Sequence, residues 1–164
     1  MKTLYLLRHA KSSWDNPELK DFERPLSDRG IGDVPIMAGR FRKTHPDLDC
    51  IICSPAIRAK STARLFAKQM GFPRDDITSN PELYFAGANM FLKAARLVDE
   101  TCESAMLVGH NPAITDFANS MAESDIDNIP TSGLVELSLA IESWADVELG
   151  EATLVNFDYP KKSD

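Results

Sequence analysis

The sequence predicts an α/β fold: a three-layer α/β/α sandwich with a mostly parallel central sheet and an antiparallel edge. Three observations predict it. Short apolar runs alternate with longer segments of helical character, the pattern of β-α-β units and a parallel sheet. Two of the runs stop at a helix-start signal, Ser54-Pro55 and Asn111-Pro112. The last two segments, 134–141 and 152–157, alternate apolar and polar residues with no helix between them, as an antiparallel pair would.

Taken in order, Leu4 to Leu7 form an apolar run that ends abruptly in Arg8-His9, which reads as a buried strand with polar groups at its carboxyl end. Residues 11–25 follow as a polar connection holding Trp14, Pro17 and Phe22, longer than an ordinary connection and so a candidate functional loop. Ser27-Asp28 starts a helix expected to reach Lys43, with Met37, Ala38 and Phe41 as its apolar stripe and His45-Pro46 as its end. Pro35 requires either that Asp33 is the true cap or that the helix bends there. Residues 48–53 read as the second strand, and a helix from Pro55 to Met70 closes on Gly71. A short strand at 77–79, a loop through Pro81-Glu82-Leu83, a helix over 90–100, a strand over 104–108 and a helix from Pro112 to Ala122 complete the alternation. Residues 123–131 form an acidic loop, and the last four residues are expected to fray. No repeat or composition shift marks a boundary, so residues 1–164 are expected to form one domain.

Composition narrows the function classes. At 43% hydrophobic and 26% charged residues, the chain reads as an ordinary soluble globular protein. A net charge of −7 without a Lys/Arg cluster argues against a nucleic-acid partner, although a few focused arginines can still build a local anion pocket. No apolar run is long enough to cross a membrane, and the first apolar run is too short for a signal peptide, so a cytoplasmic location is expected. The three cysteines, Cys50, Cys53 and Cys102, are odd in number in a chain that is not a small disulfide scaffold, which supports that expectation. Cys50 and Cys53 formally read C-x-x-C, but on a strand residues three apart face opposite ways, so they read as buried structural cysteines.

Three strand ends carry chemistry: Arg8-His9, Ser54 through Arg58, and Gly109-His110. In an open α/β sheet, ligands bind outside the carboxyl ends of the strands. Arginine presents a planar fork that matches phosphate oxygens. Neutral imidazole is a competent nucleophile near neutral pH. Arg8, His9, Arg58 and His110 therefore suit phosphoryl transfer, which asks mainly for positioning and charge stabilisation, and they need no cofactor or metal for it. Glu82, in a strand-end loop, is the leading candidate to protonate a leaving group. No H-x-H or H-x-x-x-H spacing suggests a two-histidine metal site.

These residues carry a resemblance. Leu7-Arg8-His9-Ala10-Lys11 resembles the R-H-G/A signature of the histidine phosphatase (phosphoglycerate-mutase-like) superfamily. Ser54-Pro55-Ala56-Ile57-Arg58-Ala59 with Ser61-Thr62-Ala63 resembles its S-P-x-x-R-A-x-x-T-A segment, and Val108-Gly109-His110-Asn111 its late G-H motif. Arg24-Pro25-Leu26-Ser27-Asp28-Arg29-Gly30 resembles the R-P-L-T/S-x-x-G that precedes the first helix. The motifs come in the expected order over almost the whole chain, and the short length most resembles the SixA-type phosphohistidine phosphatase branch. The resemblance implies that His9 is the nucleophile, forming a phosphohistidine intermediate. It implies that Arg8, Arg58 and His110 bind the phosphoryl oxygens, and that Glu82 stands where the family places its acid. Ala10 replaces the commoner Gly, and Lys11, Ser12 and Ser13 stand where mutase-type members carry a different phosphate-contacting set.

Each residue also has a plainer reading. Arg58 alone would be a solvated first-turn residue, Glu82 a loop residue, and Arg24 a partner for Glu23 or Asp28. Lys11, Ser12, Arg24 and Asn111 are candidate phosphate contacts, each as readily structural. His45 suits a helix end. The expected partner is a phosphorylated substrate, with a phosphohistidine-bearing protein the leading idea, and the oligomeric state is open. The alternatives are a small-molecule phosphomonoesterase or mutase, and a catalytically weak domain that binds phosphorylated partners.

Overall fold

A computed structural model describes residues 1–44, 47–84 and 87–162. Its elements are β1 (Lys2–Arg8), α1 (Asp28–Thr44), β2 (Cys50–Cys53), α2 (Ile57–Met70), β3 (Thr78–Ser79), α3 (Ala88–Arg96), β4 (Ser104–Gly109), α4 (Ala113–Ala122), β5 (Leu134–Leu139) and β6 (Ala152–Asp158), with short 3-10 turns between some of them. The six strands form one sheet in the order β3-β2-β4-β1-β5-β6. Strands β1 to β4 run parallel, and β5 and β6 add an antiparallel edge.

The alternation of side chains across β1 builds both faces. Leu4 and Leu6 pack with Phe91 of α3, with Ile114, Phe117 and Met121 of α4, and with Trp144. Tyr5 and Leu7 pack on the other face with Met37 and Phe41 of α1 and Phe66 of α2. Strands covered on both sides read as continuous apolar runs, which is why β1 and the fully buried β4 stand out in the sequence. Placing β4 between β2 and β1 aligns Arg8 with Gly109 and Cys53 with Val108, so the three chemistry-bearing strand ends share one edge of the sheet.

Several expectations shift. α1 starts at Asp28, with the Ser27 hydroxyl accepting from Gly30 N–H at 3.1 Å, and it runs on through Pro35, so Asp33 is not its cap. The expected end at His45-Pro46 lies outside the described residues. β2 is shorter than expected and begins at Cys50. α2 begins at Ile57 rather than at Pro55. α3 begins two residues earlier than expected and stops at Arg96. α4 begins at Ala113, one residue after the expected Pro112.

The cysteine reading needs correction. Cys50 and Cys53 do face opposite sides of the sheet, but Cys50 is joined by a disulfide to Cys102, while Cys53 is free and buried. The partner lies 52 residues away in sequence. The parallel pairing of β2 with β4 sets the entrances of the two strands side by side, an adjacency that only the strand order reveals. That pairing removes the cysteine part of the case for a cytoplasmic location. Among the described residues, no helix is long and apolar enough to cross a membrane.

Candidate active site

β1 delivers Arg8 and His9 to the carboxyl edge, β2 delivers Ser54 and the first turn of α2, and β4 delivers His110. Backbone hydrogen bonds stitch these ends together: His9 N–H to Gly109 O at 3.1 Å, Ser54 N–H to Val108 O at 2.9 Å, and Arg8 N–H to Gly133 O at 3.0 Å. Thr62 joins two of the segments. Its hydroxyl accepts from Ala10 N–H at 2.9 Å and donates to Arg58 O at 2.7 Å, so the turn after His9 is held on the helix that carries Arg58. Gly109 is dictated by packing, since a Cβ there would lie 2.5 Å from the Phe91 ring.

The two imidazoles lie with ring centroids 5.0 Å apart. His9 Nδ1 lies 2.8 Å from Ala10 O. A carbonyl can only accept, so Nδ1 carries the proton and Nε2 keeps its lone pair. His110 Nε2 lies 2.8 Å from the Ser54 hydroxyl, and that oxygen also takes Ala56 N–H. Burial is the main cause that pushes the His9 pKa down to about 3. The bond to Ala10 O works against it, and the neighbouring His110, Arg58 and Arg8 side chains add to it. Burial, then Arg58 and Arg8, push His110 down to about 4, with Asp21 opposing. Both rings are therefore neutral at neutral pH.

The arginines are buried and differently tethered. Arg8 Nη1 donates to Ile129 O at 2.9 Å, and burial lowers its pKa. Arg8 Nε and His110 Nδ1 are buried with no hydrogen-bond partner among the described residues. Both Nη atoms of Arg58 donate to Asp21, one to its main-chain oxygen at 2.7 Å and one to Oδ2 at 3.0 Å.

The remaining candidates fall around this cluster rather than inside it. Arg24 is buried and organises the 11–25 connection: it donates to the Ser12 hydroxyl at 2.6 Å and to Ser13 O at 3.2 Å, and its guanidinium lies 3.2 Å over the Trp14 ring. Its acidic partner is Asp21, at 3.4 Å, rather than Glu23 or Asp28. The Lys11 side chain is exposed, and its carbonyl takes the Ser27 N–H at 2.8 Å. Lys11 also explains Gly30, where a Cβ would meet the Lys11 carbonyl oxygen at 2.2 Å. The Asn111 amide is engaged by Asn128, Ile129 and Thr115, and so ties the 123–131 loop to α4. The Glu82 carboxylate pairs with Lys93 of α3 at 3.0 Å on an exposed surface.

Two residues at the site escape the sequence reading. Asp21 gathers Arg58, Arg24 and the Tyr84 hydroxyl, the last at 2.8 Å. Tyr84, two residues beyond Glu82, stands edge-on to His110 with centroids 5.7 Å apart. Neither lies in a motif, and loop residues have no periodicity to betray them; the one available signal was the unusual length of the loop that carries Asp21. A cavity of about 580 Å³, lined by Arg40, Lys43, Glu136, Asp158 and Lys162 among others, shares no residue with this cluster. Among the described residues, no group of three or more His, Cys, Asp or Glu side chains could hold a metal ion.

Comparison with known proteins identifies relatives in sequence and in fold. Residues 4–84 match the model of the histidine phosphatase superfamily, branch 1. A structure from Agrobacterium tumefaciens, assigned as the phosphohistidine phosphatase SixA, is 30% identical; the match covers 97% of this chain and 98% of that one, with a TM-score of 0.83. A protein histidine phosphatase SixA complexed with tungstate shares the fold at 19% identity, with a TM-score of 0.81 and coverage of 96% and 97%. An uncharacterised protein of Mycobacterium tuberculosis is 30% identical over 94% of this chain and its own full length.

Proposed function

Because this chain belongs to the histidine phosphatase superfamily, we propose that it is a metal-independent protein phosphohistidine phosphatase of SixA type, working through a phosphohistidine on His9. The tautomer of His9 carries the reading. A buried, neutral imidazole whose Nδ1–H is committed to Ala10 O has its Nε2 lone pair free to attack.

In the first step, His9 Nε2 attacks phosphorus and the bond from phosphorus to the substrate's leaving atom breaks, with its electron pair leaving on that atom. Arg8 and Arg58 neutralise the phosphoryl oxygens as charge spreads over them. His110 adds a neutral donor. The Ser54 hydroxyl accepts from Ala56 N–H and can turn its own proton onto His110 Nε2, which leaves His110 Nδ1 protonated. Arg8 Nε and His110 Nδ1, buried without partners among the described residues, are the donors that an oxyanion would satisfy. In the second step, water attacks the phosphoryl group, the bond to Nε2 breaks, and orthophosphate leaves with His9 restored.

A phosphohistidine substrate departs as imidazole, a less demanding leaving group than an alkoxide, so the reaction can run with the Glu82 carboxylate paired to Lys93.

The test is a substrate panel in the presence of EDTA, with a phosphohistidine protein or peptide beside sugar phosphates and phosphoglycerates. Preferential, chelator-insensitive hydrolysis of phosphohistidine is expected. Strong preference for the small molecules would move the enzyme to the phosphomonoesterase side of the family.

A further inference from the structure

Asp21 is a carboxylate at an anion site. It opens a 3-10 turn (Asp21–Glu23) within the 11–25 connection. One Nη of Arg58 donates to its Oδ2 at 3.0 Å and the other to its main-chain oxygen at 2.7 Å, the Tyr84 hydroxyl donates to Oδ2 at 2.8 Å, and Arg24 reaches Oδ1 at 3.4 Å. These donors come from α2, from the turn before α3, and from the loop itself. Partial burial pushes the Asp21 carboxyl up, but hydrogen bonds from Tyr84 and Arg58, the Arg58 charge and Arg24 outweigh it, so the group is ionised at neutral pH. Arg58 is 7% exposed, whereas the Asp21 side chain is 53% exposed. The pair thus spans the boundary between the pocket and solvent, where a dissolved anion can contest it. The ends of the loop are fixed by backbone bonds from Ser13 N–H to Pro25 O and from Ser27 N–H to Lys11 O, both 2.8 Å, so the carboxylate has a defined place to return to.

A guanidinium that binds the phosphoryl group thus already carries an anion of the chain's own. A pocket with two buried arginines and no counter-charge would also retain orthophosphate, its own product, and block the next turnover. We propose that Asp21 is an internal competitor for Arg58: it holds the guanidinium in place when the site is empty, yields to the phosphoryl group of the substrate, and retakes Arg58 to expel orthophosphate. Asp21 is a positioning residue in this account, since it acts through Arg58. The proposal rests on the phosphate site described under the proposed function.

Titration with inorganic phosphate, paired with product inhibition during turnover, tests it. Asp21→Asn keeps the shape and removes the charge, so phosphate should bind ~10-fold more tightly and inhibit correspondingly more strongly. A pre-steady-state burst should grow as release becomes limiting. Asp21→Ala should shift binding in the same direction, and Tyr84→Phe, which removes one of the donors to Oδ2, should do so to a smaller extent. Unchanged or weaker phosphate binding in folded Asp21→Asn and Asp21→Ala would overturn the proposal. So would an unchanged Tyr84→Phe, should the Asp21 variants fail to fold. Arg58→Ala separates the two levels: it should abolish phosphate binding, and if it binds phosphate like the parent chain, the phosphate site itself is wrong and the proposal falls with it.

Discussion

The two edges of the sheet treat buried polar groups in opposite ways. At the edge where the parallel strands begin, the buried Lys2 and Trp144 side chains are matched. Lys2 Nζ donates to Cys102 O at 3.3 Å and Glu100 O at 3.4 Å, and Trp144 Nε1 donates to Cys102 O at 2.7 Å. The Asp49 carboxylate takes Glu103 N–H at 2.8 Å and Ser104 N–H at 3.2 Å, and the Cys50–Cys102 disulfide closes the same region. At the carboxyl edge, Arg8 Nε and His110 Nδ1 have no partner among the described residues, two imidazoles are held neutral by burial and nearby cations, and Arg58 is lent to a loop carboxylate. Leaving a buried donor unmatched costs about 1–3 kcal/mol, so a fold that matches such groups at one edge and not at the other has left room for a ligand at the second.

Variants that break the contrast should therefore lose different things. The largest effect is expected from His9→Ala, which should lower turnover by at least ~10³-fold while thermal stability stays close to that of the parent. A large drop in melting temperature with residual turnover would place His9 among the structural groups. At the opposite edge, Cys102→Ser should remove about 2–4 kcal/mol of stability under oxidising conditions, read by denaturant unfolding, and leave kcat nearly unchanged. A loss of kcat in the folded variant would mean that the two edges are coupled.

The pH profile sharpens the comparison further. The folded-state values for His9 and His110, about 3 and about 4, lie below the ordinary 6.5, so the folded protein binds fewer protons than the unfolded chain between those limits. Stability from these groups is fully present above 6.5 and is lost as pH falls toward the folded values. The acid limb of kcat/KM should lie well below pH 6.5, near the lowered values, and a limb close to 6.5 would show that the imidazoles are ordinary and solvated. The smallest effect is expected for Glu82→Gln. With its carboxylate on Lys93 at the surface, the change should alter phosphohistidine hydrolysis by less than ~3-fold.

The sequence exposes those parts of this molecule that obey a local rule. β1 and β4 are covered on both faces and so read as unbroken apolar runs, and β5 and β6 alternate as an edge pair should. Arg8 ends a strand, His9 and His110 directly follow one, and Arg58 lies in the helical turn after one, so the sheet's rule for ligand sites brings them together from the sequence alone. What stays hidden depends on distance. The disulfide needs the β2–β4 pairing, and Asp21 needs the path of a loop that obeys no period. Glu82 and Tyr84 show how fine that limit is. The short turn at Pro81–Leu83 sends the carboxylate to Lys93 and the phenol to Asp21, and a shift of two residues decides which of them reaches the site.

The proposed mechanism requires that His9 carry the phosphoryl group. Rapid-quench mixing of the protein with a radiolabelled phosphohistidine substrate in EDTA, followed by peptide mapping under alkaline conditions, measures it directly. The expected result is an acid-labile phosphoryl group on His9 that forms and decays within a turnover and is absent from His9→Ala. Label that persists in His9→Ala, or turnover with no labelled protein at any time, would contradict it.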